Sequence, residues 1–295
     1  MRNIFFLTCV LVACTTSLFS ASAAPTEEKY AVTINLAGKQ RMLSQKMVKE
    51  VLLIHLEIDT KKNRKRLKQS LELFTKTLYG LREGDKSLRL SPTNTQHISE
   101  QIDIVKLLFQ EVEFIFNRVI RGQEPSRDAL FEVMEKSPAI LESMDRVVEM
   151  FEDEAHNTLR GDTAFLGIEI NLAGKQRMLT QKMSKEALAV YLNINRRANK
   201  KRLRKSYTLF EKTLIGLKYG DDDLGLPGAT DRNIVRQIDR VMKTWKKLKP
   251  AIVRSSDIMV DKVSAKDIQI ISRLNVPLLN RMNSAVRMYE KLAKH

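Results

Sequence analysis

Cysteine, glycine and proline are all scarce in this sequence, and each shortage excludes something. The chain of 295 residues contains two cysteines, 11 glycines and seven prolines. So few turn-forming residues argue against a fold of many short strands, whereas abundant leucine, lysine, glutamate, arginine and methionine favour long helices. We therefore expect an all-α protein, and its length suggests about two domains.

Both cysteines lie within residues 1–24, a segment typical of an export signal peptide. An apolar stretch precedes residues 21–23 (Ala-Ser-Ala), which fit a signal-peptidase site. Cleavage there removes both thiols, and with them any disulfide, thiolate metal site or cysteine nucleophile. A second interpretation is a lipoprotein signal at residues 11–14 (Leu-Val-Ala-Cys), with Cys14 lipidated after cleavage. We expect a secreted, periplasmic protein that is soluble in the first case and anchored through Cys14 in the second.

Catalytic and metal-binding patterns are missing as well. The four histidines are scattered, and we find no Ser/His/Asp or Cys/His set, no paired-carboxylate signature and no glycine-rich phosphate loop. Beyond residue 24, no apolar run approaches the roughly 18 residues that a membrane span needs. The sequence therefore predicts no enzyme, no metal, no cofactor and no transmembrane segment in the mature chain.

Positive charge is in excess, with 51 lysines and arginines against 35 acidic residues and a formal net charge of +16. Much of it comes from two runs, residues 61–68 and 196–205. Such runs are usually solvated helix ends. The functional alternative is an electropositive surface that attracts small anions, an acidic envelope protein or lipid head groups. No aromatic residues interleave the basic ones for base stacking, so nucleic acid is not an expected partner.

The sequence contains an internal repeat. Residues 34–50 recur as residues 170–186, with 15 of 17 positions identical at a constant offset of 136. Towards the end of each copy the offset becomes 138, so the second copy carries a two-residue insertion. Self-similarity of this length indicates a duplicated structural unit. We expect one domain over residues 25–160 and a second over residues 161–295.

Each copy is predicted to form four helices. In the first copy, a helix to about Asp59 is followed by a second over about residues 62–82 and a third that Ser91-Pro92 opens. The fourth begins near Ser126 and bends or restarts at Pro138, as the second copy does at Pro277. Short connections make this an up-down four-helix bundle. We expect two tandem bundles with parallel first helices, related by pseudo-twofold symmetry.

The first helix of each copy carries a second seam beside the face for its own core. Its residues recur at the 4-3 spacing of a coiled coil, and a glycine, an arginine and a glutamine stand at its centre. If the two seams face each other, two arginines converge near the pseudo-twofold axis, where a shared oxyanion would relieve their repulsion. Alternatively, each arginine pairs with a local carboxylate or points out of the seam, and the glycine is only a packing contact. The central residues are Gly38, Arg41 and Gln45 in the first copy and Gly174, Arg177 and Gln181 in the second.

Residues 35–47 resemble the first-helix signature of PilJ-type sensor domains, the N-terminal module of type IV pilus chemotaxis transducers. They are also similar to the signature of NarX-type nitrate/nitrite sensor kinases. The resemblance implies a periplasmic four-helix bundle in which two first helices hold one nitrate between a pair of arginines. Carried over by position, these are Arg41 and Arg177, and the close-approach glycines are Gly38 and Gly174.

Departures from these families limit what the resemblance implies. Gln45 and Gln181 follow the pilus-transducer pattern, for which nitrate is not an expected ligand, and transmembrane helices, a HAMP linker and an output module are missing. We expect a periplasmic sensory or ligand-binding accessory protein that binds a small anion, such as nitrate or a carboxylate, and signals through an envelope, chemotaxis or sensor partner. The alternative is a structural or interaction protein that docks an acidic envelope partner or a membrane surface through its basic helix ends.

Overall fold

A computed structural model describes residues 27–158 and 163–292 of the chain, and these residues form eight α-helices. The predicted all-α class and the two tandem bundles are confirmed. The predicted signal peptide, with its alternative lipidation site Cys14, lies outside the described residues. The helices are α1 (Glu27–His55), α2 (Thr60–Glu83), α3 (Gln96–Ile120), α4 (Arg127–Thr158), α5 (Thr163–Tyr191), α6 (Arg196–Tyr219), α7 (Arg232–Ser256) and α8 (Ala265–Leu292).

Each bundle is an up-down ring around an apolar core. In the first bundle α1 packs against α2 and α4, and α3 closes the ring, while α5 to α8 repeat this order. The hydroxyl of Tyr30, near the start of α1, donates a hydrogen bond to Thr158 Oγ1 at the end of α4, at 3.2 Å. The cores repeat too, because an aromatic pair occupies matching positions, with ring centroids 4.2 Å apart in the first bundle and 4.9 Å apart in the second.

Helices α1 and α5 form the centre of the molecule and make the most extensive helix–helix contact among the described residues. They run parallel, because early residues of one contact early residues of the other and late residues contact late ones. Arg41, midway along α1, bonds to Asn171 in the first half of α5, and Lys49 bonds to Gln181 further along both helices. A pseudo-twofold axis therefore passes between α1 and α5.

The third helix begins later than Ser91-Pro92 predicts. It starts at Gln96, and the backbone carbonyl of Thr95 accepts the first amide hydrogen bonds. Pro92 instead packs over Gly84, which has a φ of +82° and turns the chain after α2; a Cβ there would lie 2.9 Å from Pro92 Cδ. The rigid proline therefore fixes the connection and not the helix start.

The fourth helix does not restart at Pro138. Helix α4 is continuous from Arg127 to Thr158, and α8 is continuous through Pro277. Each proline removes one backbone donor, and the buried face of the helix continues on both sides of it, with Met134 before Pro138 and Ile140 after it. Packing therefore holds the helix together across the missing hydrogen bond.

The described residues also bear on two predicted absences. None of their helices combines the length and the apolar character needed to cross a membrane. Nor do residues 27–158 and 163–292 bring three or more histidine, cysteine or acidic side chains together in a group suited to a metal ion.

Candidate functional site

A band of buried polar side chains crosses the interface between α1 and α5. Two arginines and two lysines lie in it, each less than 5% exposed: Arg41, Arg177, Lys49 and Lys185. Burying a cation is costly unless hydrogen bonds or opposite charges replace its hydration. The partners of these four side chains therefore decide what the interface can bind.

The two arginines reach across the interface in opposite directions. Arg41 Nη2 donates to Asn171 Oδ1 at 2.5 Å, and Arg177 Nη2 donates to Asn35 Oδ1 at 2.7 Å. Both guanidinium groups lie beside Gly174, because a Cβ there would be 3.3 Å from Arg177 Nη2 and 4.0 Å from Arg41 Nη2. The arginines thus meet close to the pseudo-twofold axis.

The two glycines lie beside the arginine heads, and the predicted close backbone approach stays a prediction. A Cβ at Gly38 would lie 3.1 Å from Arg41 Nη2, and its nearest neighbours are all atoms of that guanidinium group. At Gly174, the described atoms within 4 Å, apart from its own helix's backbone and its chain neighbours, belong to the two guanidinium groups alone. The glycines therefore make room for the arginine heads.

The arginines differ in their charge partners. Arg41 Nη1 forms an ion pair with Asp145 Oδ1 at 2.8 Å, so the alternative prediction of a local carboxylate holds for this arginine. The matching position on α8 carries Asn283, which has no charge, and one turn further along Glu149 is matched by Arg287. At these two positions α4 is acidic and α8 is neutral or basic, whereas Glu152 on α4 is matched by the acidic Glu290 on α8.

The pKa values follow from burial and from these neighbours. Burial lowers the pKa of Arg177 to about 10; the positive charges of Arg41 and Arg287 act in the same direction and Glu290 opposes them. Burial raises the pKa of Glu152 to about 7, against the charge of Arg41. Arg177 stays charged at neutral pH, so its burial carries a free-energy cost that a bound anion would reduce.

Several buried polar atoms of the interface helices have no hydrogen-bond partner among the described residues. They include the Nε atoms of Arg41 and Arg177 and both amide atoms of Gln40 and Gln176. A buried polar atom without a partner costs roughly 1–3 kcal/mol, and such atoms are rare unless water, an ion or a ligand satisfies them. The unpaired atoms occur at matching positions of α1 and α5.

Gln45 and Gln181 bind lysines rather than the arginines. Lys185 Nζ donates to Gln45 Oε1 at 2.6 Å and to Ser137 Oγ at 2.9 Å. Lys49 Nζ makes the matching crossing, to Gln181 Oε1 at 2.9 Å and to Asn275 on α8, also at 2.9 Å. These four bonds tie each bundle to the first helix of the other.

The crossing lysines are buried more completely than lysines usually are. Burial lowers the pKa of Lys49 to about 7, and the negative charge of Glu50 only partly opposes this. Burial lowers the pKa of Lys185 to about 7 as well, with Glu186 opposing. Both amines can donate to their glutamine acceptors in the protonated, charged form and in the neutral form.

A cavity of about 220 Å³ lies beside these crossings, between α4 and the pair α5 and α6. Its lining includes Gln45, Lys185 and Arg202, together with Asp145, the ion-pair partner of Arg41. The cavity therefore places open space next to the lysine crossing and next to the carboxylate that pairs with Arg41.

The sequence prediction found the arginines and the glutamines but missed the residues that bind them. The stretch that the two copies share contains Asn35, Asn171, Lys49 and Lys185. The near-identity of the two repeats is therefore the sequence signal for these residues. Asp145 carried none, because it lies on a different helix, 104 residues from Arg41. Sequence spacing along one helix does not reveal such a partner.

Comparison with known protein families gives one match. The family described as the N-terminal domain of type IV pili methyl-accepting chemotaxis transducers matches residues 24–130 and again residues 167–268. The two matches fall one on each copy of the repeat and together cover more than half of the chain. No curated protein matches the chain in sequence.

Proposed function

The chain belongs to the family of N-terminal domains of type IV pilus methyl-accepting chemotaxis transducers, and from this premise we propose that its two copies form one sensory unit for a small anion. The ligand class is a planar oxyanion such as nitrate, or a small carboxylate. It binds between Arg41 and Arg177, at the interface of α1 and α5. A sensory role of this transducer type follows from the family; the ligand is our inference.

One observation carries the proposal. Two guanidinium groups, each almost fully buried, meet beside Gly174, and the Nε atoms of both lack a partner among the described residues. Like charges at such close range repel and lose hydration, which destabilises an interface that has no anion. Guanidinium groups bind carboxylates and oxyanions through paired, charge-assisted hydrogen bonds.

Arg177 is the principal ligand group in this proposal. Asp145 already neutralises Arg41, while the position on α8 that matches Asp145 carries the uncharged Asn283. The ligand therefore completes the hydrogen bonding of Arg177 and takes a secondary contact from Arg41. Position 283 supplies no carboxylate to Arg177 and Glu290 already places one negative charge near it, so we propose an anion with a single negative charge.

Signal transfer in this proposal uses the α1–α5 interface. A ligand that bonds to both helices stabilises one spacing between them, and any partner that distinguishes this spacing reads the bound state. We propose an exported, periplasmic accessory protein that acts through an envelope or chemotaxis partner and performs no catalysis. The lipid anchor at Cys14 remains the alternative to a soluble form.

The test is a thermal-shift and calorimetry screen of the mature chain against nitrate, nitrite, sulfate, phosphate and acetate. A ligand at a hundredfold excess over its Kd should stabilise the protein by about 2.7 kcal/mol. Arg177→Ala should abolish this shift and leave the ligand-free protein as stable as the wild type or more so, because a buried charge is removed. Arg41→Ala should also abolish binding.

The matched control is Arg273→Ala, which removes one charge from an exposed position on α8 and should leave the shift intact. A wild-type protein that responds to none of the five anions contradicts the proposal. So does an Arg177→Ala protein that keeps the full shift.

A further inference from the structure

The two-residue insertion of the second copy lies in the loop between α7 and α8. The matching loop of the first bundle is residues 121–126, whereas this one is residues 257–264. The longer loop exposes two large apolar side chains, Ile258 at 66% and Met259 at 85%. The tip of the shorter loop is Arg-Gly-Gln-Glu, with no apolar residue.

The longer loop is fastened to the start of α6. Lys200, itself buried, donates from Nζ to the backbone carbonyls of Asp257, at 2.7 Å, and of Val260. Arg196 forms an ion pair with Asp261 at 2.6 Å. These bonds hold the base of the loop on both sides of Ile258 and Met259, so the two apolar side chains are presented outward.

Exposed cations surround the apolar pair. Arg197 and Lys201 lie on the first turns of α6, Lys262 in the loop and Lys266 on the first turn of α8, and none of the four belongs to an ion pair among the described residues. A cavity of about 460 Å³ lies beneath the loop, and its lining includes Lys262, Lys266 and Ser264. Exposed apolar side chains and exposed cations therefore occur together at this end of the bundle.

We propose that this end of the second bundle docks on an anionic lipid surface. Ile258 and Met259 enter the boundary between head groups and acyl chains, and the surrounding cations contact lipid phosphates. Each lysine or arginine near an anionic surface strengthens such binding roughly fivefold. An acidic protein would account for the cations but not for two adjacent apolar side chains exposed among them.

This surface is separate from the anion site proposed above. It lies at the end of the bundle where α5 finishes, and Arg177 is 14 residues before that end, or roughly 21 Å along the helix. Loss of one site should therefore leave the other intact.

The experiment is vesicle flotation with the mature chain, residues 25–295. Vesicles of equal parts phosphatidylglycerol and phosphatidylcholine should bind the protein, pure phosphatidylcholine should not, and added salt should weaken binding because the cations contribute. Ile258→Ser/Met259→Ser should weaken binding about tenfold or more, since two apolar side chains no longer leave water. Lys262→Gln/Lys266→Gln should weaken it by a similar factor.

Two matched controls use other exposed residues of the same kind. Ile104→Ser/Leu107→Ser removes two exposed apolar side chains from α3, and Lys243→Gln/Lys246→Gln removes two exposed cations from the middle of α7. Both should bind vesicles as the wild type does. The substituted side chains are all exposed, and the melting temperature of each variant checks that it folds.

Three outcomes would overturn the proposal. They are failure of the wild type to bind the anionic vesicles, equal binding to neutral vesicles, and binding that the Ile258/Met259 variant retains in full. Retention of the protein on immobilised polyglutamate, unaffected by the Ile258/Met259 substitutions and without vesicle binding, would assign the basic surface to an acidic protein instead.

Discussion

The two copies of the repeat agree at the interface that they share and differ in the elements that support it. Helices α1 and α5 are almost identical around the arginines, whereas α4 and α8 have diverged. Asp145 and Glu149 on α4 are replaced by Asn283 and Arg287 on α8. A duplication that starts with two equal arginines thus ends with one arginine held by an internal carboxylate and one with an amide at the matching position.

The same trend continues at the end of the molecule that carries the basic runs. The turn between α1 and α2 contains Glu57 and Asp59, and the matching turn of the second copy contains Asn193 and Asn195. The second copy also has the longer loop with its exposed apolar pair. Acidic residues are therefore lost mainly from the second copy, and both surfaces that we propose for binding anionic groups depend on that copy.

The largest expected effect tests whether the two bundles are one folding unit. Phe74 and Phe210 occupy matching core positions, and neither is exposed. Phe74→Ala and Phe210→Ala should each lower the free energy of unfolding by about 3–5 kcal/mol, because each leaves a cavity in a closed core. Extensive α1–α5 packing predicts that both substitutions lower the stability of the whole chain.

The chain provides the probe that separates the bundles. Its single tryptophan, Trp245, lies in the second bundle, whereas far-ultraviolet circular dichroism reports on both. Urea unfolding of Phe74→Ala should give coincident transitions by the two signals. A tryptophan transition that stays at the wild-type midpoint while the circular dichroism transition moves would show that the bundles unfold independently.

A smaller effect is expected from exchanging the charge partners of the two arginines. Asp145→Asn gives the first copy the residue of the second and leaves Arg41 without its ion pair. It should destabilise the ligand-free protein by about 1–3 kcal/mol in thermal or urea unfolding, since the buried guanidinium loses its carboxylate. Partial exposure of Asp145, at 29%, keeps the loss below that of a fully buried pair.

Asn283→Asp is the reciprocal change. A carboxylate beside Arg177 should compete with the ligand, so the anion affinity measured by calorimetry should fall while the ligand-free protein keeps or gains stability. Equal effects of the two substitutions on stability would mean that the copies are electrostatically equivalent.

A further prediction concerns the crossing lysines, in which the two copies agree. The pKa of Lys49 and of Lys185 is about 7 in the folded protein and 10.5 without burial. Between these values the unfolded chain binds more protons, so stability should rise with pH from about 7 towards 10 and should lack this gain below pH 7. Lys49→Met and Lys185→Met should each flatten the rise in melting temperature by a similar amount.

A rise that only one lysine accounts for would show that the crossings are unequal despite their matching bonds. The comparison is made between variants and wild type at each pH, because other groups also titrate.

Glu152 acts below this window and in the opposite direction. Its folded pKa is raised to about 7 from 4.5, so its burial reduces stability as pH rises from 4.5 to 7.

Predictions from the sequence were accurate where one helix carries the information. The eight helices follow from the composition and from four helical segments in each copy, and Arg41 and Arg177 are recognisable as polar breaks in an apolar seam. The predicted start of α3 at Ser91-Pro92 was wrong, because a proline that begins a helix and a proline that packs over a glycine look alike in sequence. The sequence also did not reveal what fills the space beside Gly38, where the guanidinium group of Arg41 lies.

The sequence by itself determined the duplication and the helical periodicity, because both are patterns along the chain. It thereby determined the all-α class, the tandem copies and the placement of one arginine in the first-helix seam of each. Only the tertiary structure decided which arginine meets a carboxylate, that Lys49 and Lys185 cross between the bundles, and that Ile258 and Met259 stand among cations. Arg41 and Asp145 are 104 residues apart and Lys49 and Asn275 are 226 apart, and such partners are chosen by how helices pack. Helix packing brings together faces of helices that are far apart in the chain. The residue spacing along one helix does not reveal which faces meet.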